Sequence, residues 1–454
     1  MREGDTTVPA ETPVNQVLRG RAWVAPLCWI AVLLDGFDAV VLGAVMPSMI
    51  EDPGFGLTPA SGTAVATAGL FGMMVGALGM GWATDRFGRR RMLIGAVTIF
   101  SLLTLAMAFT DSIAVFGILR FLAGVGLGGC LPTAISMVTE FSSARRTGNA
   151  TTTVMTGYHV GAVLTAALAI WIVTQLSWHA MFIAGALPAV ILVPLMLRYL
   201  PESPEFLLSQ GRRDEARAVA EHYGIDFAAR LERQEALTRA GSDAQQEKVG
   251  AGLLLSGPYR RNTVILWIAS FMGLLLVYGL NTWLPQIMRA ADYDLGNALG
   301  FLLILNVGAI VGLFIAGRAA DRFTPRVAGI VWFLGAAVML AALVIRLPLG
   351  GIYVMVFITG CFVFSAQVLV YAFTASNYPA QVRATALGMS AGTGRLGAIS
   401  GPLVGGTLLS AGLAYPWGFF AFALAALLGG GALSATRTLD PEAQDSPVHR
   451  QPID

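Results

Sequence analysis

Apolar stretches of about 20 residues recur along almost the whole chain, and that is the length an α-helix needs to cross a hydrocarbon core of about 30 Å at 1.5 Å per residue. With no water at the bilayer centre to satisfy free N–H and C=O groups, such a stretch has to be helical. Twelve spans can be drawn. They begin near residues 23, 61, 91, 113, 149 and 179 and, past a polar stretch, near 262, 296, 327, 350, 384 and 414, each about 20–26 residues long. Composition agrees, since 56% of the 454 residues are hydrophobic and only 12% are charged, against roughly a quarter charged in soluble domains. The expected fold class is an all-α integral membrane protein with twelve transmembrane helices in two six-helix bundles. The bundles cover residues 23–200 and 262–436, with an N-terminal tail (1–22), a central loop (201–261) and a C-terminal tail (437–454). A cleavable signal peptide is not expected, because the first 20 residues lack an apolar run.

Arginine positions orient the spans. The 2–3 loop carries Arg86, Arg89, Arg90 and Arg91, the 4–5 loop Arg145 and Arg146, the 8–9 loop Arg318, Arg322 and Arg326, and the 10–11 loop Arg383. Loops of the other parity hold Glu51, Asp52, Asp111, Asp292 and Asp294, with Arg289 and Arg346 as exceptions. The arginine-rich loops, the central loop and both termini are therefore expected in the cytoplasm, in an inner-membrane protein. Within the central loop, RRDEARAVAEHYG reads as a short amphipathic helix. Cys28, Cys130 and Cys361 are far apart within spans and read as small apolar residues.

An internal repeat supports two halves. GWATDRFGRRR (Gly81 to Arg91) and GRAADRFTPR (Gly317 to Arg326) share G-x-x-x-D-R-F at an offset of 317 − 81 = 236 residues. Duplicated bundles place a substrate near the bilayer midplane, between the repeats. GVGLGG (124–129) and GTGRLG (392–397) match the dinucleotide fingerprint, but both lie inside apolar segments, where small residues serve helix packing. No phosphate-binding G-x-x-x-x-G-K-[ST] occurs, and Lys248 is the only lysine. No cofactor, no enzymatic activity and no nucleic-acid partner are expected.

The polar residues inside the spans carry the chemistry. In LLDGFDAVVLGAVMP, Asp35 and Asp38 lie about 18 and 22 Å into the membrane. Ionised carboxylates there cost about 2.5–3.5 kcal/mol each on insertion scales, so they face a wet cavity or a cation, and the i, i+3 spacing puts them on one helix face. Proton coupling is the functional reading; helix capping or a permanent ion pair is the structural one. Arg120, in span 4, matches Asp38 in depth and joins the coupling group, with a static salt bridge as its alternative. Arg395, in span 11, lies about 16 Å deep, at the midplane, where a guanidinium can grip a carboxylate with two hydrogen bonds. Pairing with Asp35 is its alternative. Tyr158 and His159 reach similar depth. Tyr278, Asn281, Trp283, Asn306, Gln367 and Tyr371 complete the candidate substrate cavity, each with helix packing or interface anchoring as the other reading. Trp171 and Trp178 read as interface anchors.

G-x-x-x-D-R-x-G-R-R after span 2, its degenerate copy after span 8, and PESPEFLLSQGRRDEA (Pro201 to Ala216) resemble the major facilitator superfamily. Within it, D-G-F-D, RFLAGVGLGG (120–129) and YPAQVRATALGMSAGTGRLGAISGP (378–402) resemble the aromatic acid:proton symporters. The resemblance implies the major facilitator fold and alternating access, with a benzoate or hydroxybenzoate as substrate, protons as the coupled ion and the lipid bilayer as surroundings; a single chain is expected to work alone. It also implies a gate in the arginine-rich loops, made by Asp85, Arg86, Arg89 and Arg90 with Asp321 and Arg322 in the second copy, although arginines there also serve topology alone. Antiport relatives in the superfamily usually carry Gly-Pro in span 5. Its absence from TGYHVGAVLTAAL favours import. The alternatives are a carrier for another small organic anion, a proton-driven efflux pump, or a membrane receptor for such an acid.

Overall fold

The computed structural model describes residues 13–142, 147–225, 231, 254–255, 259–345, 347–378 and 380–437, and within these omits the side chains of 13–22, 81, 82, 85, 147–152 and 380–384. Most of both tails, much of the central loop with Lys248, and Arg145, Arg146 and Arg346 lie outside the described residues, as do the side chains of Asp85 and Arg383.

The first six spans are α1 (Pro13–Glu51), α2 (Pro59–Phe87), α3 (Arg89–Met107), α4 (Ile113–Glu140), α5 (Thr147–Gln175) and the pair α6 (Trp178–Ala186) and α7 (Ala189–Tyr199). Two short helices follow, α8 (Pro204–Ser209) and α9 (Arg213–His222). The second six are α10 (Tyr259–Ala290), α11 (Leu295–Phe323), α12 (Pro325–Ala342), α13 (Leu349–Asn377), α14 (Ala380–Ser410) and α15 (Trp417–Ala435). Twelve spans result, and all regular structure among the described residues is helical. Span 6 is the one that departs from a single helix. Pro188 brings no N–H to the helical ladder, and the chain turns at Leu187 and Pro188 before α7 resumes.

Helix pairing repeats between the halves. α1 packs on α5 and α2 on α4, and in the same way α10 packs on α14 and α11 on α13. In a bilayer the apolar effect does not drive helices together, so close packing has to. Glycine supplies it. A Cβ on Gly72, Gly76, Gly124 or Gly128 would stand within 2.2 Å of a backbone oxygen across the α2 and α4 seam. The GVGLGG run is thus a packing surface.

The repeat extends to backbone conformation. Gly88, between α2 and α3, has φ +96, and Thr324, at the equivalent place between α11 and α12, has φ +114. Glycine takes such a φ freely, whereas threonine is strained there; the Thr324 hydroxyl offsets part of that by accepting from the Val327 N–H at 3.3 Å. One turn, inherited twice, has been kept with two different residues.

The halves meet through α5 with α11, α2 with α14 and α1 with α10. At the end away from the arginine loops the seam is tight. Glu51, at the end of α1, pairs with Arg289, at the end of α10, and a Cβ on Gly43 or Gly406 would collide with Asn281 or Thr63 of the opposite half. At the arginine-rich end the backbone at Gly79, Gly388 and Gly392 faces open space.

Trp178 departs from its expected role as an interface anchor. It is buried among Phe55, Phe116 and Phe182, and its indole N–H donates to Asp52 at 2.9 Å. That hydrogen bond, with one from the Gly54 N–H, holds the Asp52 carboxylate below the usual range. Trp171 does lie exposed on the outside of the bundle.

Candidate functional site

Each of the four residues of D-G-F-D meets different surroundings. Asp38 faces α4 and α3. Its Oδ2 accepts from Arg120 Nη1 at 2.5 Å, its main-chain oxygen accepts from Arg120 Nη2 at 2.7 Å, and its Oδ1 accepts from the Thr104 hydroxyl at 2.8 Å. Asp38 is 2% exposed and Arg120 7%. Both charges are buried and mutually satisfied. Gly69 of α2 makes room for them, because a Cβ there would stand 3.0 Å from Arg120 Cγ and 3.2 Å from its Nε. Gly36 faces α5, where a Cβ would lie 2.0 Å from the Tyr158 carbonyl oxygen. Phe37 fills the space left by Gly185 of α6.

Asp35 is different. It is 2% exposed, and its Oδ1 has no hydrogen-bond partner among the described residues. Its charge interacts with Arg395, which enters from α14 in the opposite half. Buried carboxylates are seldom left unsatisfied, so this one stands out. Arg395 Nη1 donates to the Tyr278 hydroxyl of α10 at 3.2 Å, and its charge also interacts with Tyr158 and Tyr371. Tyr158 lies near enough to Tyr278 and Arg395 to interact with both electrostatically. Close by on the second half, Gln367 Nε2 donates to the Ser270 hydroxyl at 3.0 Å, and Ser270 donates to the Ser390 carbonyl at 2.8 Å; Tyr371 lies beside this group. One acid, one guanidinium and three phenols thus converge from α1, α5, α10, α13 and α14, between the halves. Such a group can hold an anion on the guanidinium and orient an aromatic ring among phenols.

Comparison with known proteins fixes the family. The Major Facilitator Superfamily profile matches residues 28–402. The chain belongs to the major facilitator superfamily. It is 34% identical to the gallate transporter of Pseudomonas putida, covering 93% of this chain and 97% of the relative, and 33% identical to the gentisate transporter of Corynebacterium glutamicum, covering 92% and 88%. An inward-open structure of the xylose transporter XylE from E. coli superposes with a TM-score of 0.74 at 15% identity, over 93% of this chain and 99% of that one. Superfamily membership makes this chain a membrane transporter rather than an enzyme.

In this superfamily member the charged motif after span 2 is tied into its own half. Arg89 pairs with Glu140, the last residue of α4, and stands 3.8 Å from Glu205. The Arg90 N–H donates to Glu202 Oε1 at 3.0 Å, its guanidinium donates to the Leu197 carbonyl, and Ser203 donates to Glu140. Glu140 and Glu202 are partners of this motif that sequence reasoning misses, although an acid closing a span opposite three arginines is a legible signal. Asp85 lies in the last turn of α2; Arg86, Asp321 and Arg322 lie at the same end of the bundle, with Arg322 against the Phe323 ring. Glu202 also explains Gly88, where a Cβ would stand 2.4 Å from Glu202 Oε2 at a φ that alanine resists. Gly88→Ala is expected to destabilise the protein by about 1–3 kcal/mol, read as a lowered melting temperature in detergent, while Thr324→Ala in the second copy removes only a cap and changes it less.

Asn281, Asn306 and Trp283 sit deeper in helix packing. Asn306 Nδ2 donates to Asn281 Oδ1 at 3.1 Å and to the Leu302 carbonyl at 3.0 Å, joining α11 to α10. Trp283 is wholly buried, and its indole donates to the Pro402 carbonyl at 2.8 Å. His159 reaches across the seam to Phe364 of α13, ring centroids 6.3 Å apart.

Proposed function

We propose that this protein is a proton-coupled importer of an aromatic carboxylate of the benzoate or hydroxybenzoate type, working by alternating access as a monomer in the inner membrane, with its arginine-rich end and both termini in the cytoplasm. The observation that carries this is Arg395 set across the seam from a buried acid, near enough for their charges to interact, whose Oδ1 no described residue satisfies. The names of its relatives, a gallate and a gentisate transporter, supply the substrate class.

The mechanism follows from charge. Arg395 and Asp35 share one unit of each sign in a water-poor space. When a substrate carboxylate takes the guanidinium, Asp35 loses its counter-charge and takes a proton more readily. Anion and proton then enter as a neutral pair. Toward the cytoplasm, lower proton activity withdraws the proton, Asp35 reclaims Arg395, and the substrate leaves. One pH unit contributes 1.36 kcal/mol per proton. For a monoanion with one proton no net charge moves, and only a second proton would add about 2.3 kcal/mol per 100 mV. Asp38, both of whose oxygens are already engaged, holds Arg120 and positions α1 against α4 while Asp35 cycles.

Uptake of labelled benzoate and 4-hydroxybenzoate into proteoliposomes with an imposed pH gradient tests the reading. Accumulation that follows an inward proton gradient supports it; binding without uptake indicates a receptor, and loss of preloaded substrate under an inward proton gradient indicates an efflux pump. Arg395→Lys should weaken substrate binding by about 1.5–3 kcal/mol, the scale of a hydrogen bond to a charged group, because lysine keeps the charge and loses the two-pronged grip. Calorimetry on the purified variants decides between the arginines. If Arg395→Lys binds normally and Arg120→Lys does not, their roles are exchanged.

A further inference from the structure

We propose that His159 reads a hydroxyl group on the substrate ring, so that the site prefers a hydroxylated aromatic acid to bare benzoate; this rests on the reading of the site as an aromatic-acid cavity. Tyr158 and His159 are successive residues of α5, and both reach across the seam. Tyr158 lies within electrostatic reach of Tyr278 of α10 and of Arg395, whereas His159 meets Phe364 of α13. The two side chains therefore face the second half at different places, the first at the carboxylate grip and the second away from it.

His159 is 9% exposed, and its Nδ1 has no hydrogen-bond partner among the described residues. Like Asp35, it is a buried polar group kept in the seam with a position open, where native structures nearly always supply a partner. Its surroundings are aromatic. The Tyr158 ring stands edge-on to it with centroids 5.5 Å apart at 87°, and the Phe364 ring at 6.3 Å and 78°. Such edge-to-face contacts are favourable and fix the plane of the imidazole. A neutral imidazole offers one donor and one acceptor, and a phenol hydroxyl is both, so either tautomer can be answered by a ring hydroxyl. A carboxylate on Arg395 and a hydroxyl on His159 would hold the two ends of one ring, a recognition that plain benzoate completes only at one end.

The test is equilibrium binding of benzoate, 3-hydroxybenzoate and 4-hydroxybenzoate to the full-length purified transporter and to His159→Phe, with melting curves run alongside. Phenylalanine keeps the aromatic packing and removes both nitrogens. The expected result is that wild type prefers a hydroxybenzoate, that His159→Phe weakens its binding about 10-fold while benzoate binding stays within about twofold, and that His159→Gln, which keeps a donor and an acceptor, recovers part of the loss. Equal weakening for all three acids, or no change for any, overturns the proposal and makes His159 a packing residue. A wild type that binds none of the acids overturns the aromatic-acid reading itself and this proposal with it. Should His159→Phe fail to fold, His159→Gln and His159→Leu carry the same comparison, with the hydroxybenzoate preference kept in the first and lost in the second.

Discussion

Asp38→Asn is expected to cost the fold about 3–5 kcal/mol, the penalty for leaving a buried charge without its partner. The asparagine fills the same space, yet Arg120 keeps a full charge at 7% exposure, facing a neutral amide where it had a carboxylate at 2.5 Å. Thermal unfolding in detergent should show a large drop in melting temperature. The companion variant is the informative one. Asp38→Asn combined with Arg120→Met removes both charges and should recover most of the loss, because a buried ion pair replaced by apolar groups of similar volume is often neutral in stability. A single variant that melts like wild type would mean that the pair is solvated in the working protein, and would return Asp38 to the list of proton carriers.

The second large effect is functional. Asp35→Asn should abolish accumulation while the protein still folds, since no hydrogen bond to Oδ1 is lost. With one proton per substrate, a gradient of one pH unit supports about tenfold accumulation in wild type, and the variant should equilibrate at no accumulation. Exchange of internal for external substrate, which needs no net proton movement, should continue in the variant, because Arg395 remains to bind the anion. Accumulation equal to wild type would place the proton elsewhere.

Much of this architecture is legible in the amino-acid sequence, for reasons that differ from residue to residue. Span length and the absence of water in the bilayer leave helices as the only element, so twelve spans follow from apolar runs alone. Depth along a helix axis is nearly one-dimensional, and counting residues from each end brings Asp38 and Arg120 to the same level; in the fold they touch. Rotation about the axis is what counting does not reach. Asn281 and Trp283 lie close to Tyr278 in sequence, but Asn281 bonds to Asn306 and Trp283 turns into its own half, while Tyr278 alone of the three reaches Arg395. Contacts between chain-distant acids and arginines are hidden to different degrees. Glu51 meets Arg289 through a crossing that no local pattern encodes, whereas Glu140, which meets Arg89, is at least signalled by its place at the end of a span opposite the arginines. Arg289, an exception to the charge bias of its loops, proves to have a partner in the other half.

The tight end of the seam rests on missing atoms. At Gly43 a single added carbon would stand 2.0 Å from the Asn281 carbonyl oxygen, and at Gly406 one would stand 1.7 Å from the Thr63 hydroxyl oxygen. A transporter divides its time between two openings according to a free-energy difference of a few kcal/mol, and every 1.4 kcal/mol shifts the ratio tenfold. A methyl group at either glycine is expected to act as a wedge on the state in which this seam is closed, and so to change how long the molecule waits there without touching a ligand. Evolution can therefore retune the duty cycle of this machine, fast release against fast capture, one carbon at a time and far from the site that chooses the cargo.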